Sequence, residues 1–284
     1  MIRYPGSYAA LALLALILAH PADMLGGDDQ AWRQRVSAGT TAVSSSDDIN
    51  EEIRFGREVA ARMLGRYGLS TNDSLNRYVN LVGQSLARST NRPELNYHFG
   101  VLNTADINAY AAPGGYIFVT RGALEKMQDE AELAAVLAHE LIHVNEKHVV
   151  RELGIRATEG SAVSGLARLI GGGSETARIA FSQAVDKAID MLFRTGYKRE
   201  DEVQADKGAV AICAVAGYDP SALVRYFERI SAARGKSTEV LDKTHPDYET
   251  RIALLRETMA KDGIDPGSFK ARKERFAEEM KKVN

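Results

Sequence analysis

The sequence predicts a helix-rich α+β domain with a small sheet. Apolar residues recur at helical spacing over most of the chain from Asp129 onward. Before that, Leu95, Tyr97, Phe99 and Val101 fall on alternate positions, the period of a half-buried strand. Residues 108–120, NAYAAPGGYIFVT, then read as two extended segments around a Pro-Gly-Gly turn. The 284 residues are 45% hydrophobic and 26% charged, an ordinary globular composition that argues against disorder, collagen-like repeats and a multi-span membrane protein. The formal charge of −2 gives no electrostatic reason to expect nucleic acid as a partner. A single cysteine, Cys213, excludes an intrachain disulfide and a finger-type cysteine site. Any bound metal must therefore sit on histidines and carboxylates.

Residues 1–22 carry one charge, Arg3, ahead of an apolar run from Tyr8 to Ala19. That run is too short to span a bilayer and suits the core of a secretory signal peptide. Residues 23–46, rich in Gly, Asp, Ser and Thr, read as a flexible linker, which leaves 47–284 as one domain. Asp47 and Asp48 open a helical pattern through Ile53, Phe55, Val59, Ala60 and Met63. A second helix is expected over 72–88. Asp129 and Glu132 form a capping box for a long helix running to about 153, where Gly154 can end it. A helix is predicted over 198–217, another after Asp219-Pro220, and two more after Pro246 and Pro266. Residues 155–190, rich in small side chains, suit either packed helices or a mobile lid. Within the charged run 270–282, Phe269, Phe276 and Met280 are expected to face the core. His98 and Cys213 read as structural residues.

The chemistry lies in His139-Glu140-Leu141-Ile142-His143, inside the long helix. Side chains four apart share a helix face, so both imidazoles can point at one metal ion. Glu140 projects beside them and can reach a water on that metal without binding the ion, the arrangement of a zinc hydrolase. A catalytic zinc needs a third protein ligand. The extended motif that takes it from a third histidine is excluded, because Glu146 and Val149 occupy its glycine and histidine positions. His148, about 140° round a continuous helix from His143, is not expected to join the site. Glu202 offers the third ligand from the later helix, with Asp206 on the same face to accept a hydrogen bond from a ligand histidine. Ala205 between them allows close helix approach.

Four ordered segments carry a family resemblance: 108–124 (NAYAAPGGYIFVTRGAL), 139–148 (HELIHVNEKH), 199–206 (REDEVQAD) and 244–252 (THPDYETRI). The chain resembles the CAAX prenyl endopeptidase-like zinc metallopeptidases, which include HtpX-type and BepA-type proteases. The similarity is greatest to exported periplasmic members, without their C-terminal helical repeat domain. The resemblance implies a zincin-like (gluzincin) domain holding one Zn²⁺ on His139, His143 and Glu202. It implies Glu140 as general base, Asp206 as a supporting acid, and His245 near the metal, either capping it or stabilising the oxyanion. It further implies a periplasmic or otherwise extracytoplasmic endopeptidase acting on unfolded or misassembled envelope proteins, with envelope assembly machinery as a possible partner. The strand before the Pro-Gly-Gly turn can receive substrate along its edge. The competing expectation is a zinc-stabilised, chaperone-like binding module with little turnover.

Overall fold

Helix α1 (Ser46–Tyr67) buries Phe55, Val59, Ala60 and Met63, as the spacing predicts. The computed structural model describes residues 46–153, 175–232, 238–245 and 247–282. The expected signal peptide, nearly all of the expected linker and the first part of the 155–190 segment lie outside the described residues. Helix α2 (Asp73–Ala87) begins at Asn72, whose side chain accepts from the Leu75 amide. Strands β1 (His98–Leu102), β2 (Ala109–Ala112) and β3 (Tyr116–Thr120) form a three-stranded sheet in the order β1-β3-β2. β3 runs parallel to β1 and antiparallel to β2. Leu95, Tyr97, Phe99 and Val101 all reach the core, although only the last two lie inside the strand. The pattern is not simple alternation, because Gly100 and Leu102 on the other face are buried too. His98 is the exposed member of β1, with its ring stacked on Tyr116.

Between β2 and β3 the chain turns through Pro113–Gly115, and Gly114 takes a φ of 72°. A Cβ on Gly114 would lie 2.6 Å from the Ile53 Cα, so α1 and the turn meet backbone to backbone. Helix α3 (Arg121–Lys126) follows, and then α4 (Glu130–Asn145), capped by the Asp129 carboxylate on the Glu132 amide. The predicted long helix does not run unbroken to 153. It stops at Asn145, Lys147 turns left-handed at φ 55°, and α5 (His148–Glu152) sets off in a new direction. The physical reason lies in side chains distant along the chain. The Tyr97 hydroxyl donates to Asn145 Oδ1, and an Arg92 guanidinium N–H donates to the Val144 carbonyl, so side chains from outside the helix close its end.

Helix α6 (Glu175–Asp190) covers the later part of the 155–190 segment, expected as packed helices or a lid, and packs Phe181 edge-on against Phe55 of α1. A π-type turn (Met191–Thr195) leads to Gly196 and then to α7 (Arg199–Ala216), which ends at Gly217 with φ 77°. Next come α8 (Ala222–Ala232), α9 (Glu239–Thr244) and α10 (Tyr248–Lys261), the last capped by Asp247 on the Thr250 amide. Pro266 opens only a three-residue 3-10 turn. The last helix, α11 (Lys273–Lys281), starts beyond it and buries Phe276, with Phe269 and Met280 half-buried against the core. Cys213 is a buried core residue whose thiol pKa is pushed up by burial. Among the described residues no helix is long and apolar enough to cross a membrane.

The pairing that positions the site is α4 against α7. Ala205 is fully buried between them, as its size predicts. Gly208, one turn further on, makes room for the Ile142 side chain, which would lie 2.5 Å from a Cβ there.

Candidate metal centre

α4 supplies His139, Glu140 and His143, α7 supplies Glu202 and Asp206, and the end of α9 supplies His245. All six are at least 96% buried. His139 and His143 turn their Nε2 atoms toward each other at 3.0 Å. Each Nε2 also lies 3.5 Å from an oxygen of the Glu202 carboxylate. A tetrahedral zinc with N and O ligands at about 2.0–2.2 Å sets neighbouring donors roughly 3.3–3.6 Å apart, close to the observed spacing. One ligand atom from each of His139, His143, Glu202 and His245 lies within 4.8 Å of the others. The far ring nitrogens are engaged elsewhere, His139 Nδ1 at 3.0 Å from Asp206 and His143 Nδ1 at 2.8 Å from His148.

The charge balance also calls for a cation. Three buried carboxylates, Glu140, Glu202 and Asp206, face one buried guanidinium, Arg251. Its Nε and one terminal nitrogen fork onto Asp206 at 2.7 and 2.6 Å, and the other lies 2.8 Å from Glu202. Burial opposes ionisation of both carboxylates, but positive neighbours outweigh it. Arg251 with His139 lowers Asp206, and His245 with Arg251 holds Glu202 well below the usual carboxylate range. Burial likewise works against a charged His139, yet Asp206 and Glu202 push its pKa up to about 9. His143 is held well below the usual imidazole range by burial and by His139. In the absence of an ion, the pocket thus favours one added positive charge at His139. A dication among the same donors satisfies the excess negative charge more fully.

Glu140 differs from the other carboxylates. Burial raises its pKa, and its buried Oε2 has no hydrogen-bond partner among the described residues. Beside it, His139 and His245 lies a small cavity of about 20 Å³, walled by Val136, Leu223, Tyr226 and Phe227. His245 Nδ1 lies 2.9 Å from Glu202 Oε1, so its ring stands over the donor group. The covering segment is tied down around it. Asn108 Nδ2 donates to Thr244 Oγ1, and Gly196, at φ 73°, lets the backbone before α7 lie directly against Thr244. Tyr197 then stacks on His143 with ring centroids 3.7 Å apart and donates its hydroxyl to the Ala111 carbonyl. β2 is the outer strand of the sheet, as substrate pairing would need, but all four of its residues are buried in this closed form.

All six predicted site residues converge. Sequence reasoning missed Arg251 and Tyr197, and it placed His148 away from the site. The helix break at Lys147 returns His148 to His143, although not to the group of metal-facing atoms. Arg251 had a readable signal, being the arginine of the 244–252 segment. Tyr197 had none.

Comparison with known proteins agrees with this geometry. The pattern of peptidase family M48 matches residues 73–259, which include every residue of the centre. The chain belongs to peptidase family M48. It is 32% identical over 228 residues to the putative beta-barrel assembly-enhancing protease of Vibrio cholerae serotype O1, covering 76% of this chain and 46% of that protein. It is 26% identical over 209 residues to metalloprotease YcaL of Escherichia coli K12, covering 74% of this chain and 76% of that one. To mitochondrial metalloendopeptidase OMA1 of Schizosaccharomyces pombe it is 26% identical over 214 residues, covering 74% and 61%. The chain thus spans about half the length of the beta-barrel assembly-enhancing relatives it matches. Family membership and the buried donor set together identify the cofactor as zinc.

Proposed function

We propose that this M48 member is an extracytoplasmic zinc metalloendopeptidase acting on unfolded or misassembled envelope proteins. In this reading residues 1–22 export it to the periplasm, as a secretory signal peptide would. The observation that carries the peptidase reading is Glu140 Oε2, a buried carboxylate oxygen unpartnered among the described residues, beside two imidazoles and a carboxylate spaced for zinc. His139, His143 and Glu202 hold the ion. Zinc supplies Lewis-acid polarisation of the scissile carbonyl and makes water a better nucleophile near neutral pH. Glu140 accepts the proton of the attacking water and returns it to the leaving amine. Asp206, locked by Arg251, keeps His139 in the orientation that presents Nε2. Once the covering segment swings away, β2, the outer strand of the sheet, pairs with an extended substrate through backbone hydrogen bonds. Such grip suits unfolded chains of varied sequence. Names given to the relatives support the envelope setting, and assembly machinery is the proposed partner.

The deciding experiment uses purified protein and an unstructured peptide. Zinc-dependent cleavage is expected, falling by about 10²–10⁴-fold in Glu140→Gln with zinc content unchanged. Glu202→Ala should lose most of its zinc. Tight peptide binding without turnover in the zinc-loaded protein would instead favour the chaperone-like module.

A further inference from the structure

We propose that His148 is a positioning residue for the metal centre, holding His143 by the ring nitrogen that faces away from the ion and being held in turn by Gln204 and Asp201. The assignment follows from counting protons. If His143 offers the Nε2 lone pair to a cation, its remaining proton sits on Nδ1. Nδ1 lies 2.8 Å from His148 Nδ1, which must then be the unprotonated acceptor. A neutral His148 therefore carries its proton on Nε2, which faces Gln204 Oε1 at 3.1 Å and Asp201 Oδ1 at 3.5 Å. Each N–H then has an acceptor. The opposite tautomer of His148 would set two N–H groups against each other and leave its Nε2 lone pair facing the Gln204 and Asp201 oxygens.

The two histidines of the H-E-x-x-H motif are thus supported differently. His139 leans on a carboxylate clamped by Arg251, whereas His143 leans on a neutral imidazole. That choice limits the negative charge packed beneath the ion. It also accounts for the break after α4, since a continuous helix would carry His148 about 140° away from His143. Lys147 adopts the left-handed conformation that non-glycine residues rarely take, and the fully buried His148 lands on His143 as a result. Tyr197 stacks on the same ring, so His143 is fixed both in its plane and across its face. The inference rests on the zinc reading for the identity of the ion.

Two measurements test it. In zinc-loaded protein with ¹⁵N-labelled histidine, His148 should appear as the Nε2–H tautomer with Nδ1 unprotonated. Observation of the Nδ1–H tautomer would overturn the assignment without any substitution. Competition with a chelator should then show zinc bound about 10–100-fold more weakly in His148→Phe, which keeps the ring volume but has no acceptor. His148→Gln, which restores an acceptor oxygen, should recover most of that loss. Full affinity in a folded His148→Phe would reduce His148 to packing. If the unsubstituted protein binds no zinc, the proposed function fails instead. Should His148→Phe not fold, the tautomer measurement decides alone.

Discussion

Arg251 holds Glu202 and Asp206 of α7 at once, and its guanidinium also lies 4.4 Å from the centre of the Phe227 ring. Removing one partner of a buried ion pair strands the other, at a cost of about 3–5 kcal/mol. Arg251→Ala should therefore destabilise the fold by that amount in chemical denaturation. Arg251→Lys should recover only part of it, because an ammonium cannot fork onto Asp206. Equal stability of Arg251→Ala and the unsubstituted protein would mean that water or the metal pairs these carboxylates instead. His245 calls for a different test. It stands over Glu202, at the end of a helix tied by Thr244 to Asn108, just before β2, and to the backbone before α7. This position fits a cap on the metal better than an oxyanion donor. His245→Ala should thus raise steady-state cleavage of an unstructured peptide while zinc content stays near full. A loss of about 10²–10³-fold would assign the oxyanion role, and unchanged activity would leave His245 structural.

At the scale of elements, much of the fold was legible because its signals are local. Asn72 and Asp129 cap their helices, Gly217 ends α7, and the Pro-Gly-Gly turn separates two strands, each by chemistry confined to a few residues. The centre was legible for a similar reason, since His139 and His143, like Glu202 and Asp206, are pairs set four apart. What escaped the sequence depends on partners distant along the chain. The end of α4 is closed by Tyr97 and Arg92, about fifty positions earlier, and no local breaker marks it. The outer edge of β1 is another case. Asn76 and Asn80 of α2 accept from the Val101 and Phe99 amides, and Gln84 donates to the Tyr97 carbonyl. Their four-residue spacing is visible in sequence, but the edge they cover is not. Gly56 shows the same limit. A Cβ there would lie 1.7 Å from the Pro113 carbonyl oxygen, which a side-chain rotation cannot relieve. Gly56→Ala should push α1 off the turn and lower stability by about 1–3 kcal/mol, the usual range for overpacking. The turn adjoins β2, so peptide KM should rise more than kcat falls. An unchanged melting temperature would show that α1 shifts freely on the turn.

At the scale of the whole molecule, metal removal should loosen the protein without unfolding it. The centre lies between α4 and α7, but one continuous core runs from α2 and the sheet through α4, α7 and α8 to α10 and α11. A second apolar cluster joins α1 and α6 to the other face of the sheet. Neither cluster includes the metal-facing side chains, and Arg251 already pairs Glu202 and Asp206. This separates the protein from small domains whose folding energy is largely metal binding. Zinc should still stabilise it by mass action, because the ion binds the assembled donor set of the folded state and not the unfolded chain. At free zinc about 1,000-fold above Kd, that contribution is about 4 kcal/mol. For a domain of this size each kcal/mol moves Tm by about 2–4 °C, so chelation should lower Tm by roughly 8–16 °C. Calorimetry of zinc-loaded and chelator-treated protein, with circular dichroism at 25 °C, checks both halves of the expectation. Loss of helical signal on chelation would make the ion part of the folding core. An unchanged Tm would mean that zinc does not bind the folded protein tightly.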